Sequence, residues 1–291
     1  MQVFLAQVIN ALVLGNIYAL LVTGFNLILL VGGIFNAAYP HTVVMSMYIC
    51  WMVLKATGNN IPLAIVAAVS SAVGMSLISE RILRPLVRQH ALVISFVVTL
   101  GMTMIFSDIM GRQLNKGLTI GFSRSFTGKE ALISHGLTSV TVGQFLTVVG
   151  AIASMLILSW LLYHTKQGIS LRVTAQEPVI ARILGIPISK TTTLSWGIAG
   201  LLADISSIFL DMSLGWASGA LSGNLWIKIL AISLFAGLGN LRGGFYGALI
   251  LAFGETMVLA YLPGDWSEAI SFAMIIIAVG FKPQGLFGVK I

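Results

Sequence analysis

Asp204 and Asp211 stand seven residues apart in an apolar run, a spacing that places both carboxylates on one helical face, two turns apart. A charge at the centre of a bilayer costs about 2.5–3.5 kcal/mol, so such groups face a cavity or a partner. Glu255 and Lys228 also lie within or beside apolar runs. Two kinds of chemistry follow. The carboxylates could line a path that favours a solute with a positive group or many hydroxyls. They could instead be structural, with Lys228 paired to Asp204, Asp211 or Glu255. Other chemistry is scarce. His41, His90, His135 and His164 share no metal-ligand spacing, nothing resembles a phosphate-binding loop, and no nucleophile–base pair is evident. The chain is therefore expected to be no enzyme, and to bind no metal or cofactor itself. Cys50, the only cysteine, lies in an apolar run, which excludes an intramolecular disulfide and argues against thiol chemistry.

Two glycine-rich interruptions carry further polar side chains: VGGIFNAAYPH at 31–41 and AGLGNLRGGFYG at 236–247. Unwound backbone is tolerated at membrane depth only where it lines a cavity or is buried in protein. Asn36, Tyr39 and His41 in the first break, and Asn240 with Arg242 in the second, are thus candidates for lining or gating a path. Packing through small residues explains the glycines equally well.

A polar island, GISLRVTAQEPVIARILGI, runs from Gly168 to Ile186. Thr174 and Glu177 are spaced for a capping box, Val179, Ile180, Ile183 and Leu184 fall at helical spacing, and Gly185 before Ile186-Pro187 is a stop. The spacing predicts a short helix over about 175–184, too short to stand alone in water. It needs a partner surface, or else lies on the lipid headgroups.

These groups must be positioned by membrane-spanning helices. The 291 residues are 57% hydrophobic and 9% charged, with mean hydropathy +0.99, against about 25% charged for a soluble domain. The expected fold is all-α, a polytopic integral membrane protein of about eight to ten transmembrane or re-entrant helices in one domain, 1–291. Apolar segments are read at 4–30, 37–55, 61–80, 91–110, 141–163, 193–214, 225–239, 245–262 and 267–281. The first residues lead directly into such a segment without a basic stretch, so no cleavable signal is expected.

Alternate threading puts 81–90, 164–192, 240–244 and the tail on one side, with 10 of the 16 basic residues, among them Arg88 and Lys290. The other side carries five, including Lys116 and Lys129 in the outer loop at 111–140. The positive-inside bias makes the first side cytoplasmic, with a cytoplasmic C-terminus, and accounts for the net charge of +7 without nucleic acid.

Four motifs in order carry a resemblance. Glu80–Arg88 reads ERILRPLVR; Arg172, Ala175, Glu177-Pro178, Ala181-Arg182 and Leu184-Gly185-Ile186 form a spaced set; Gly237-Leu238-Gly239, Gly243-Gly244, Gly247 and Gly254-Glu255 form a glycine ladder; and the tail reads KPQGLFG from Lys282 to Gly288. Over nearly its whole length the chain resembles the permease subunits of branched-chain amino acid ABC importers. Two departures stand out: Asn36 to His41 keeps that family's Asn and Ala but lacks its His-Gly-Glu, and Asp204 puts an unexpected carboxylate near where the family favours glycine.

The resemblance implies a translocation subunit for an amino acid or similar small polar solute, in a bacterial or archaeal cytoplasmic (inner) membrane. It implies a second, homologous permease (expected as a heterodimer), two ATP-binding subunits that hold ATP-Mg, and an extracellular or periplasmic binding protein. It also makes the island a coupling loop, 164–192, with Arg172 in its motif. Val179, Ile183 and Leu184 would enter a groove of the ATPase, with Glu177 and Arg182 at the rim and Gly185 as the stop. The competing reading is a secondary transporter with Asp204, Asp211 and Glu255 as its ion relay.

Overall fold

The computed structural model describes residues 2–87, 92–112, 114, 118–128, 130–135, 138–264, 266–282 and 285–287. Arg88, His90, Lys116, Lys129, Pro283, Gln284, Gly288 and Lys290, named above, lie outside these residues. In chain order the elements are α1 (Gln2–Gly32), α2 (Tyr39–Ala56), α3 (Ile61–Val87), α4 (Leu92–Arg112), β1 (Ile120–Gly121) and α5 (Arg124–Thr127). Then come β2 (Ala131–His135), β3 (Thr138–Thr141), α6 (Val142–His164), α7 (Lys166–Gln176), α8 (Pro178–Ile183) and α9 (Ile188–Leu214). The chain closes with β4 (Trp216–Ala217), α10 (Leu221–Ala236), α11 (Leu241–Tyr261) and α12 (Trp266–Phe281).

The molecule is an all-α, multi-pass membrane protein. Among the described residues six helices, α1, α3, α4, α6, α9 and α11, are long and apolar enough to cross a bilayer, and α10 and α12 are shorter apolar helices. Burial sorts them. In its most apolar window α1 is 83% buried, whereas α3, α4 and α6 are each 22% buried. A helix apolar all round belongs inside; α1 packs against α11, α9, α6 and α10, with Ile17, Leu21, Phe25 and Ile28 fully enclosed. The outer helices turn Val93, Met104 and Ile157 outward, the surface a lipid-facing ring needs.

Capping is local chemistry, and one expected cap does not form. Thr174 lies buried inside α7, and Glu177 makes no side-chain cap bond; it is the shared hinge residue between α7 and α8. The island is therefore two helices at an angle and not one helix over 175–184. Pro178 explains this, because it has no N–H to continue α7 and suits the first position of a new helix. The capping box that does form is Thr141 with Gln144, at the start of α6.

The stop at Gly185 holds as read. Its φ is +73°, its N–H donates to the Arg182 carbonyl, and Ile186 N–H donates back to the Ala181 carbonyl at 2.9 Å. That is a Schellman closure, and it needs a left-handed residue.

Two loops are more ordered than expected. α3 runs on to Val87, taking Arg81 and Arg84 out of the 81–90 loop. The segment 111–140 contains α5 and most of an antiparallel β2–β3 hairpin, and β1 within it pairs with β4 beyond α9. The hairpin and the α7–α8 elbow mark opposite ends of α6.

Candidate functional site

The first break, residues 33–38, lets α2 start inside the bundle. Tyr39 donates its hydroxyl to the Ala199 carbonyl in α9 at 3.3 Å and lies against Gly24 of α1, where an added Cβ would fall 2.1 Å from the hydroxyl oxygen. Only glycine admits the phenol. Asn36 organises the break, its Oδ1 accepting from Ala38 N–H at 3.0 Å. Thr99 on α4 holds the same segment: its hydroxyl accepts from Ala37 N–H at 3.2 Å, and its one proton is shared between the Phe35 carbonyl at 3.1 Å and the Phe96 carbonyl of its own helix at 2.8 Å.

Two residues along α2, His41 meets two further helices. Its Nε2 lies 3.1 Å from Ser107 Oγ on α4 and 3.3 Å from Ser222 Oγ on α10. The side chain is 8% exposed, and Nδ1 has no hydrogen-bond partner among the described residues. A buried, unsatisfied ring nitrogen costs about 1–3 kcal/mol, so it marks a place where water or a solute group would be favoured.

Asp204 and Asp211 are both fully enclosed in α9. Ser46 on α2 donates to Asp204 Oδ1, and Ser207 donates to the Asp204 backbone carbonyl at 2.8 Å. Asp204 Oδ2 and both oxygens of Asp211 lack partners among the described residues. Neither carboxylate meets Lys228. That lysine pairs with Glu255, which also accepts from Tyr18 at 3.0 Å and from Ser267 at 3.0 Å. The network ties α10 to α11, α1 and α12, the structural alternative among the roles considered for Lys228.

The second break does different work from the first. Asn240 caps α11, its Oδ1 accepting from Gly243 N–H at 2.9 Å, while its Nδ2 donates to the Phe287 carbonyl at 2.7 Å. The tail supplies donors in return, Leu286 N–H to the Phe235 carbonyl and Phe287 N–H to the Ala236 carbonyl. These satisfy carbonyls left open at the end of α10. Asn240 thus has no hydrogen bond to the His41 cluster. Arg242 is exposed, 5.5 Å from the Tyr163 ring, and Arg172 stacks on the same ring at 4.9 Å.

At the elbow, α8 turns Ala181 inward and its apolar side chains outward. Val179 is 66% exposed, Ile183 79% and Leu184 65%, with Glu177 and Arg182 exposed beside them. A cleft of about 470 Å³ opens next to this face, lined by Glu80, Arg84, Arg182, Ile186 and Thr192 among others. Glu80, buried, accepts two bonds from Arg84, at 2.8 and 2.9 Å. Sequence reasoning missed Ser46, Thr99, Ser107 and Ser222. Isolated hydroxyls in apolar helices carry no spacing signal, and commonly bond their own helix.

The family model described as branched-chain amino acid transport system / permease component matches residues 7–279. The high-affinity branched-chain amino acid transport system permease protein LivH of Escherichia coli (strain K12) is 24% identical, over 98% of this chain and 96% of its own length. The probable branched-chain amino acid transport permease protein LivH of Methanocaldococcus jannaschii is 27% identical, over 96% and 91%. A solved structure, PsaBC from Streptococcus pneumoniae in complex with Fab, aligns with a TM-score of 0.50 at 11% identity, covering 94% of this chain and 91% of that one. That likeness concerns the fold alone.

Proposed function

This chain belongs to the branched-chain amino acid transport system permease family, and we propose that it is the translocation subunit of an ATP-driven importer for an amino acid or similar small polar solute. The carrying observation is the outward apolar face of α8. A six-residue helix with Val179, Ile183 and Leu184 on its surface has no reason to persist in water. A groove on an ATP-binding subunit would cover it, with Glu177 and Arg182 at the rim. α7 and α8 then form a rigid elbow that passes motion into α9 and α3. In this reading 164–192 and the C-terminus are cytoplasmic, and the hairpin loop faces outward.

The partners are a second, homologous permease, two ATP-binding subunits carrying ATP-Mg, and a binding protein that delivers solute outside. The ion-coupled alternative asks Glu255 to relay protons, yet Lys228, Tyr18 and Ser267 already hold it.

Ile183→Asp tests the reading. The variant should insert in the membrane but lose its ATP-binding subunits on co-purification, and lose uptake with them. Full retention of those subunits with normal uptake would reject α8 as the docking element.

A further inference from the structure

The unwound break carries one aromatic side chain, and that ring sits at the centre of an aromatic cluster drawn from three helices. Phe35 meets Phe25 of α1 edge-on at 5.3 Å, Phe96 of α4 at 5.4 Å and Trp226 of α10 at 5.6 Å between ring centroids. Trp226 follows Ser222 by four residues, so the two share a face of α10. On that face Ser222 meets His41, and one turn further Trp226 meets Phe35. On α4 the corresponding residues, Ser107 at His41 and Phe96 at Phe35, are eleven residues apart and so also share one face, about three turns from each other. A polar cluster with an unpartnered buried ring nitrogen and an aromatic cluster thus follow one another along the faces that α4 and α10 turn to α2 and the break.

The aromatic layer differs from ordinary core in how Phe35 is attached. Its backbone lies outside any helix, two residues after Gly33 at φ +62°, where an added Cβ would meet nothing within 4 Å. The break's main bond to a neighbouring helix is through Thr99 of α4. α4 is itself an outer helix that touches the bundle mainly through α3 and α2. A small displacement of α4 would carry the break, and with it the Phe35 ring, while α1 and α10 keep Phe25 and Trp226 in place.

Resting on the permease reading, we propose that Phe35 is the hydrophobic gate of the solute path, closed here against Trp226, and that Thr99 transmits the movement of α4 that opens it. Closing a polar path with rings is effective because a dry aromatic contact excludes both water and charged solute.

The test uses the assembled complex, with its ATP-binding subunits, in proteoliposomes and labelled leucine as probe. ATP-driven leucine uptake by the unsubstituted complex checks the permease reading separately. With ATP absent, Phe35→Ala and Trp226→Ala should each raise leucine flux about tenfold, the factor that ~1.4 kcal/mol of lost ring contact corresponds to. Thr99→Val, close in volume, should leave the ATP-free flux unchanged and lower ATP-driven uptake about tenfold, because the break no longer follows α4.

A second readout does not depend on the solute. In a Cys50→Ser background, Asn36→Cys should react about tenfold faster with a small charged thiol reagent when combined with Phe35→Ala, against the same rate constant with Phe35 intact. If Phe35→Ala fails to assemble, Phe35→Leu, which keeps most of the apolar volume, replaces it in both assays. Assembled complexes with neither a leak nor faster labelling would overturn the gate. Normal ATP-driven uptake by an assembled Thr99→Val complex would overturn the lever.

Discussion

Gly24 and Tyr39 are a matched pair, and the space one leaves is the space the other fills. Gly24→Ala should lower stability by about 1–3 kcal/mol, because a methyl group cannot share the position of the phenol oxygen. Tyr39→Phe in the same chain should recover part of that loss, which thermal unfolding of the four variants in detergent would measure. No recovery would mean that the clash lies in the backbone. The two buried aspartates make a different pair. Asp204 has Ser46 as a donor, while Asp211 has no partner on either oxygen among the described residues. A buried carboxyl without partners costs stability, so its retention argues for use. Asp204→Asn and Asp211→Asn should both leave the amount of assembled complex unchanged and impair uptake. For Asp211→Leu we expect a higher unfolding temperature together with lost uptake. Reduced assembly with normal uptake per assembled complex would make these residues structural.

The elements most sensitive to substitution are those whose ends carry the geometry. Gly185 closes α8 in a left-handed conformation that costs a side chain about 1–2 kcal/mol. Gly185→Leu should therefore abolish ATP-coupled uptake while the protein still inserts, and Gly185→Asn should retain more of it, since asparagine visits this region readily. Equal uptake by both variants would detach the Schellman stop from coupling. The Lys228–Glu255 network pins α10, α11, α1 and α12 at one point. Removing one partner leaves a buried charge, so Lys228→Met should cost roughly 3–5 kcal/mol. Adding Glu255→Gln should restore most of the folded yield, and uptake with it if the network is only structural.

At the scale of the molecule, α1 is the most enclosed of the long apolar helices and α3, α4 and α6 the least. Asn36 and Tyr39 are 3% and 1% exposed, and Cys50 is fully buried. Cysteine placed at 36 or 39 should therefore resist a water-soluble thiol reagent at rest and react once the ATP-binding subunits are cycling. Labelling that is equally slow in every nucleotide state would make the first break packed interior and not path. The same logic applies to the second break, where cap and tail bonds already occupy Asn240. Cysteine at that position should stay unreactive throughout.

Nine apolar segments, the elbow's stop at Gly185 and the placement of polar residues at two chain breaks were legible because each depends on local spacing. Periodicity, length and a left-handed glycine are properties of a few neighbouring residues. The elbow's bend was only half legible: Thr174 and Glu177 had the right spacing for a capping box, but Pro178 ended α7 at Gln176 and made Glu177 a hinge. What partners each buried group was decided by packing alone. Lys228 could have met Asp204, Asp211 or Glu255 on charge grounds, and the crossing of α10 with α11 brought it to Glu255. His41 found two serines 66 and 181 residues away, and Phe35 found rings on α1, α4 and α10. Such contacts leave no periodic trace in a sequence, because they arise where helices distant in the chain are pressed together.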